Sequence, residues 1–210
     1  MTEEEARAAL DVPRGTLERL EHFVSLLTAA NTVQNLVSSA SLAEVWSRHI
    51  LDSAQLVRFA PSANASWLDL GSGPGLPGLV VALLREGPVT LVESRRLRVD
   101  FLTHAVAELA LGGRVEIVGS RLEAVTPRPF EVISARAFAP LDRLLDMATA
   151  FSTDDTRWIL PKGRKAQSEL DAVRASWQGA FRLEPSVTDS DAAIIVAEGV
   201  RRKGRGKSVR

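Results

Sequence analysis

The segment Leu68-Asp69-Leu70-Gly71-Ser72-Gly73-Pro74-Gly75-Leu76-Pro77-Gly78 constrains this chain more than any other. A short apolar run ends in a glycine cluster, and a second apolar run begins at Gly78. That order is strand, tight turn, helix. It brings backbone against a ligand at the carboxyl end of a first strand. Gly73 to Gly78 fits G-x-G-x-x-G in form, but two features oppose a pyrophosphate cradle. Such a cradle works through free N–H groups at a helix N-terminus, and Pro74 and Pro77 each lack one. Asp69 adds a carboxylate two residues before the first glycine, where it repels a phosphate and tolerates an amine or a sulfonium. Glu93 closes the next apolar run, 18 residues after Gly75. A carboxylate there can accept both hydroxyls of a ribose, in a dinucleotide or in S-adenosyl-L-methionine. The bland alternative is a glycine-requiring turn followed by a surface glutamate.

Around this turn, short apolar runs alternate with helical stretches. Trp67–Leu70, Val89–Val92 and Val115–Val118 predict strands, as do 132–134 and 158–160. Helices are predicted over 78–85, 97–109, 141–150 and 166–177. The runs 181–187 and 193–197 predict a terminal strand pair. Such alternation means an α/β fold, a mainly parallel Rossmann-like sheet with helices on both faces. The first residues instead carry a helical stripe, Leu17, Leu20, Phe23 and Leu27. Ser41 with Glu44 predicts a capping box opening a second helix. The expected organisation is a helical N-terminal extension over 1–62 packed on the body, a cofactor-binding domain over 63–200, and a basic tail over 201–210.

Charge matters here by position. The chain has 210 residues with 26 Lys plus Arg against 26 Asp plus Glu. Residues 201–210 hold six basic residues and no acid, which leaves 20 basic against 26 acidic in 1–200. An acidic body with a basic tail suits either a solvated end or an arm that binds a polyanion. Cysteine is absent, which excludes disulfides, cysteine–zinc sites and a thiol nucleophile. His22, His49 and His104 lack metal-ligand spacing. No signal peptide or membrane span is legible. A cytoplasmic monomer with no membrane partner and no metal is expected.

The chain resembles the glucose-inhibited division protein B family, bacterial methyltransferases of guanine nitrogen-7 in 16S ribosomal RNA. Four motifs between about Asn35 and Lys165 carry the resemblance. They are Arg48-His49-Ile50-Leu51-Asp52-Ser53, the turn Asp69 to Gly78, Ser120-Arg121-Leu122-Glu123, and Arg136-Ala137-Phe138-Ala139 with the later Pro161-Lys162-Gly163. The first and last make it specific, since many methyltransferases share the turn. Two stretches depart from the family: Ala30-Asn31-Thr32-Val33-Gln34-Asn35-Leu36-Val37 lacks its Trp-Asn, and Leu97-Arg98 stands where Lys-Arg is common. The resemblance implies a Rossmann-like methyltransferase fold with a helical extension, S-adenosyl-L-methionine as cofactor and 16S ribosomal RNA as partner, within the small ribosomal subunit or its assembly intermediate. It implies cofactor contacts at Gly71, Leu76, Leu122, Glu123 and Arg136. Gly73, Gly75 and Glu93 join them from the reading of the turn.

Guanine nitrogen-7 carries an in-plane lone pair, so methyl transfer to it needs no general base. Positioning carries the rate. Arg136, just past the fourth strand, is the first candidate for that role, and Lys162, after the fifth, is the second. Each could equally form a surface salt bridge, with Asp142 for instance. Arg48, His49 and Asp52 share one helix face. They form either a polar clamp between extension and sheet or a gate for substrate or cofactor. Two other functions compete: an NAD-dependent oxidoreductase using Gly73 to Gly78, and a non-catalytic RNA-binding module on the same fold.

Overall fold

A computed structural model describes residues 1–204. Seven strands form one sheet in the order β3-β2-β1-β4-β5-β7-β6. β1 (Trp67–Leu70), β2 (Val89–Val92), β3 (Val115–Val118), β4 (Val132–Ala135) and β5 (Arg157–Lys162) run parallel. β6 (Trp177–Pro185) and β7 (Ala193–Arg202) close it as an antiparallel pair, with β7 against β5. Every residue of β1, β2 and β4 is buried. That is why these strands read as short, mostly apolar runs without regular alternation: helices cover both faces.

Side chains of β1 leave the sheet alternately. Trp67 joins the core formed with α2 (Arg14–Asn31), α5 (Gly78–Leu84) and α6 (Arg96–Glu108). Leu68 and Leu70 join the opposite core, under α7 (Leu141–Ala148) and α8 (Ala166–Val173). The predicted strands and body helices are all present, with ends shifted by a few residues. The 166–177 helix stops earliest, because Trp177 already opens β6.

The extension is more broken than its apolar stripe suggests. α1 (Glu3–Ala8) is held by a capping box in which Thr2 and Glu5 exchange hydrogen bonds. α3 (Ser39–Ala43) is capped by Ser38, whose hydroxyl accepts from the Ser41 N–H, so the predicted Ser41 cap is displaced by three residues. A π-helical segment, Trp46–Leu51, then leads into the single turn α4 (Asp52–Ala54). The Glu3 carboxylate accepts from the backbone N–H groups of Trp46 and Ser47 and so staples α1 onto that segment. At the other end, Arg201 and Arg202, assigned to the tail by charge, lie in β7 and pair with Asp154 and Asp146. The remainder of the tail, 205–210, lies outside the described residues.

Candidate functional site

The carboxyl ends of β1, β2 and β4 meet where the strand order reverses, with β1 between β2 and β4. Open α/β sheets bind ligands at such a switch point. The turn after β1 is tight. Gly71, Gly73 and Gly75 all adopt the left-handed region, which glycine enters without a Cβ penalty. The Leu76–Pro77 peptide bond is cis.

The turn spends its donors internally. Ser72 N–H donates to Val92, Gly75 and Leu76 N–H to Ser72, Gly73 N–H to Glu93, and Gly78 N–H to Asp69. Pro74 and Pro77 have none to give. No row of free N–H groups remains for a pyrophosphate, so the donor count favours a ligand without phosphate and opposes the NAD reading.

Asp69 has a different use from the expected electrostatic one. It is fully buried. One oxygen accepts from Ser134 Oγ at 2.7 Å and the other from the Gly78 N–H at 3.1 Å. Ser134 in turn accepts from Trp67 Nε1 at 2.8 Å. The carboxylate therefore ties β1 to β4 and anchors the start of α5; it does not face a ligand. Burial pushes its pKa up to about 6, against the opposing hydrogen bonds of Ser134, Ser72 and Gly78. A side chain at Gly78 would be crowded: a Cβ would lie 2.2 Å from Leu91 and 2.7 Å from the Asp69 carboxylate.

Two clefts open at this edge. The smaller, about 490 Å³, is lined by Gly71, Glu93, Arg98, Leu122 and Glu123, among others. Glu93 is 5% exposed. It accepts from the N–H groups of Gly73, Ser94 and Arg95, and Arg98 lies 3.7 Å away. A carboxylate offers about four lone-pair sites, so acceptor capacity remains for a hydroxyl. Leu122 supplies an apolar wall and Glu123 an exposed carboxylate on a short 3₁₀ turn. Glycine backbone, an apolar wall and two carboxylates suit a nucleoside bearing hydroxyls and an amine. Gly73, Gly75 and Leu76 lie in the turn behind this cleft. Leu76 is buried in the α2–α5–α6 core, and its N–H is already used.

The larger cleft, about 1180 Å³, is lined by Arg48, Arg136, Lys162 and Lys165 and by Glu44, Asp52, Glu169 and Asp189, with Ser186 and Thr188 also in its wall. The two clefts share one wall, Ala137 to Pro140. Arg136 lines the larger cleft and not the smaller. Its Nη1 sits 3.3 Å from His49 Nδ1, 3.4 Å from the Arg48 carbonyl and 3.6 Å from Asp52. Its other two nitrogens make no hydrogen bond among the described residues. Burial lowers its pKa, opposed by Asp52 and Asp69, yet a guanidinium stays charged. His49 is brought down to about 4 by burial first, then by the Arg136 and Arg48 charges. It is neutral near pH 7, so Nδ1 accepts from Arg136 and Nε2 carries the proton.

Arg136, His49 and Asp52 thus join the sheet edge to the extension, while the Arg48 side chain turns away to Glu44. Asp52 is held further by Gln55 and Thr188. Lys162 pairs with Glu169 at 2.9 Å and reaches the Ala139 carbonyl at 3.3 Å. Asp142, the partner considered from sequence, accepts from Trp177 instead. Three features escaped the sequence: the Trp67–Ser134–Asp69 chain, the Arg98–Glu93 pair, and the shared wall at Phe138. The first two depend on strand register and loop packing. The third had a legible sign, since Phe138 sits inside a family motif.

Comparison with known proteins bears on the family and the fold. The family described as GidB, rRNA small subunit methyltransferase G, matches residues 16–191. The ribosomal RNA small subunit methyltransferase G of Rhizorhabdus wittichii is 53% identical, covering 100% of this chain and 99% of the relative. That of Sphingopyxis alaskensis is 52% identical over 90% of this chain and 82% of its own length. Among solved structures, a TehB-like SAM-dependent methyltransferase of Corynebacterium glutamicum superposes with a TM-score of 0.54 at 17% identity, covering 70% of this chain and 87% of that one. That likeness concerns the fold. By sequence, along nearly its whole length, the chain belongs to the rRNA small subunit methyltransferase G family.

Proposed function

We propose that this protein methylates nitrogen-7 of one guanine in 16S ribosomal RNA, with S-adenosyl-L-methionine as methyl donor. The observation that carries the proposal is the pair of clefts sharing the Ala137–Pro140 wall, one holding the buried Glu93 beside the glycine turn and the other holding Arg136 and Lys162. Bound in the smaller cleft, the cofactor supplies an electrophilic methyl carbon on a sulfonium.

Glu93 accepts from a ribose hydroxyl with its remaining acceptor site. Gly71 makes room for the Phe138 ring beside the cofactor, Leu122 packs against the adenine, and Glu123 takes an amino or hydroxyl donor at the rim. Arg136, with two nitrogens free, holds the RNA in the larger cleft by a phosphate or a base oxygen. Lys162, fixed by Glu169, adds a point charge beside it. None of these groups has to remove a proton, because the attacking nitrogen already carries its lone pair. The gain comes from orientation and from excluding water between the two clefts.

Among the described residues no helix is long and apolar enough to cross a membrane. A cytoplasmic enzyme acting on the small ribosomal subunit, or on an assembly intermediate, is the setting we infer.

The test is incubation of the purified protein with labelled cofactor and 16S ribosomal RNA from cells lacking the enzyme, followed by nucleoside mass spectrometry. One new 7-methylguanosine is expected. Methyl found only on protein, or on no acceptor at all, would overturn the proposal. Running naked RNA beside purified small subunits identifies the substrate form.

A further inference from the structure

We propose that Phe138 is the platform on which the target base stacks. The proposal rests on the methyl-transfer function given above.

A base in folded RNA presents nitrogen-7 to a cofactor only after it leaves its own stack, and it then needs an aromatic or guanidinium face to replace that stack. Among the residues lining either cleft, Phe138 is the single aromatic, and it lines both. A base resting on it from the larger cleft lies beside the wall that bounds the cofactor cleft.

The ring is held in place. A Cβ on Gly71 would come within 2.5 Å of Phe138 Cδ2, so the ring is seated directly on the turn that follows β1. The backbone before it is unusual. Ala137 has φ of 52°, in the left-handed region. Among the described residues, two other non-glycine residues have positive φ: Ala110 directly follows the C-cap of α6, where a left-handed residue commonly terminates a helix, and Asp11 lies in the loop after α1. Ala137 follows a strand and lines both clefts. Backbone strain of this kind persists where surrounding structure fixes it and gathers at working sites. Arg136, one residue earlier, contributes two free guanidinium nitrogens on the same wall. The strand end thus presents a charged anchor and a flat apolar surface together.

The test compares the full-length wild type with Phe138→Leu, Phe138→Met, Phe138→Tyr and Phe138→Trp. Steady-state kinetics are followed for RNA and for cofactor, with S-adenosylhomocysteine binding by calorimetry as a check on fold and cleft. Base–aromatic stacking carries enough energy for its loss to lower kcat/KM for RNA between about fivefold and a hundredfold. We expect that loss in the leucine and methionine variants, with S-adenosylhomocysteine affinity within about twofold of wild type, and near-complete retention in the tyrosine and tryptophan variants. Full activity in a leucine or methionine variant that binds S-adenosylhomocysteine overturns the proposal. Equal losses in all four variants also overturn it, as does a parallel loss of S-adenosylhomocysteine binding, which would make the ring part of the cofactor cleft. A wild type that methylates no RNA removes the underlying function as well. An active wild type beside an active leucine variant removes only the stacking role.

Discussion

Arg136 at the end of β4 reaches within 3.6 Å of Asp52 on the N-terminal extension, 84 positions earlier in the chain. The pair joins the two parts of the molecule at the mouth of the larger cleft. Arg136→Lys keeps the charge and loses the planar fork. We expect its RNA methylation to fall by roughly tenfold to a hundredfold, about 1.4 to 3 kcal/mol of transition-state stabilisation, with S-adenosylhomocysteine affinity unchanged. Calorimetry and single-turnover kinetics on one preparation check both halves. A matching fall in cofactor affinity would instead restore the cofactor contact expected from sequence.

The Asp69–Gly78 contact predicts a stability effect. Gly78→Ala places a methyl against Leu91 and the Asp69 carboxylate, and such overpacking costs about 1–3 kcal/mol. Asp69→Ala leaves Ser134 Oγ and the Gly78 N–H without an acceptor, at about 1–3 kcal/mol for each buried group. Urea unfolding followed by tryptophan emission should give lowered midpoints for both variants. An unchanged midpoint in either would mean that the turn is not under this constraint.

Two buried groups give opposite pH dependences. The Asp69 pKa rises from 3.8 to about 6 on folding, so the native state holds a proton there longer than the unfolded chain does. Its contribution is full below about pH 3.8 and is lost as pH rises to about 6. The His49 pKa falls from 6.5 to about 4, so the unfolded chain takes up the proton first. Its contribution is full above about pH 6.5 and is lost as pH falls to about 4. Thermal unfolding of His49→Phe should therefore gain on wild type as pH falls from 6.5 to 4. Asp69→Asn should gain on wild type as pH rises from 4 to 6. Parallel wild-type and variant curves would contradict both assignments.

Glu93→Gln puts an amide among the N–H donors of Gly73, Ser94 and Arg95, which now find two carboxylate oxygens. S-adenosylhomocysteine affinity should drop about tenfold or more, because a carboxylate makes stronger hydrogen bonds to hydroxyl donors than an amide does. Isothermal titration measures this directly. Unaltered affinity would move the ribose to another part of the cleft.

Removal of residues 204–210 takes away Arg205, Lys207 and Arg210 while sparing Arg201 and Arg202, which belong to β7. RNA affinity should weaken, and the slope of log affinity against log salt should flatten. S-adenosylhomocysteine affinity should stay the same. Filter binding across a salt series, with RNA affinity equal for both forms, would identify the segment as a solvated end.

The amino-acid sequence by itself determined the α/β alternation and the glycine turn, and it weighed against a phosphate cradle. These are local matters: strands buried on both faces are mostly apolar along their length, and Pro74 and Pro77 have no N–H in any fold. The four motifs reached further and named the family, because they bind residues far apart in the chain to one chemistry. Tertiary structure decided what the residues touch. Asp69 looked like a ligand-facing carboxylate because its position beside the turn is local; its buried bonds to Ser134 and Gly78 depend on β1 lying against β4. Arg48, His49 and Asp52 looked equivalent on one helix face. Only the approach of β4 chose His49 and Asp52 as partners for Arg136 and left the Arg48 side chain to Glu44. The position of Phe138 between two clefts likewise belongs to no local pattern. It follows from the reversal of strand order beside β1, which places the wall after β4 over the turn after β1.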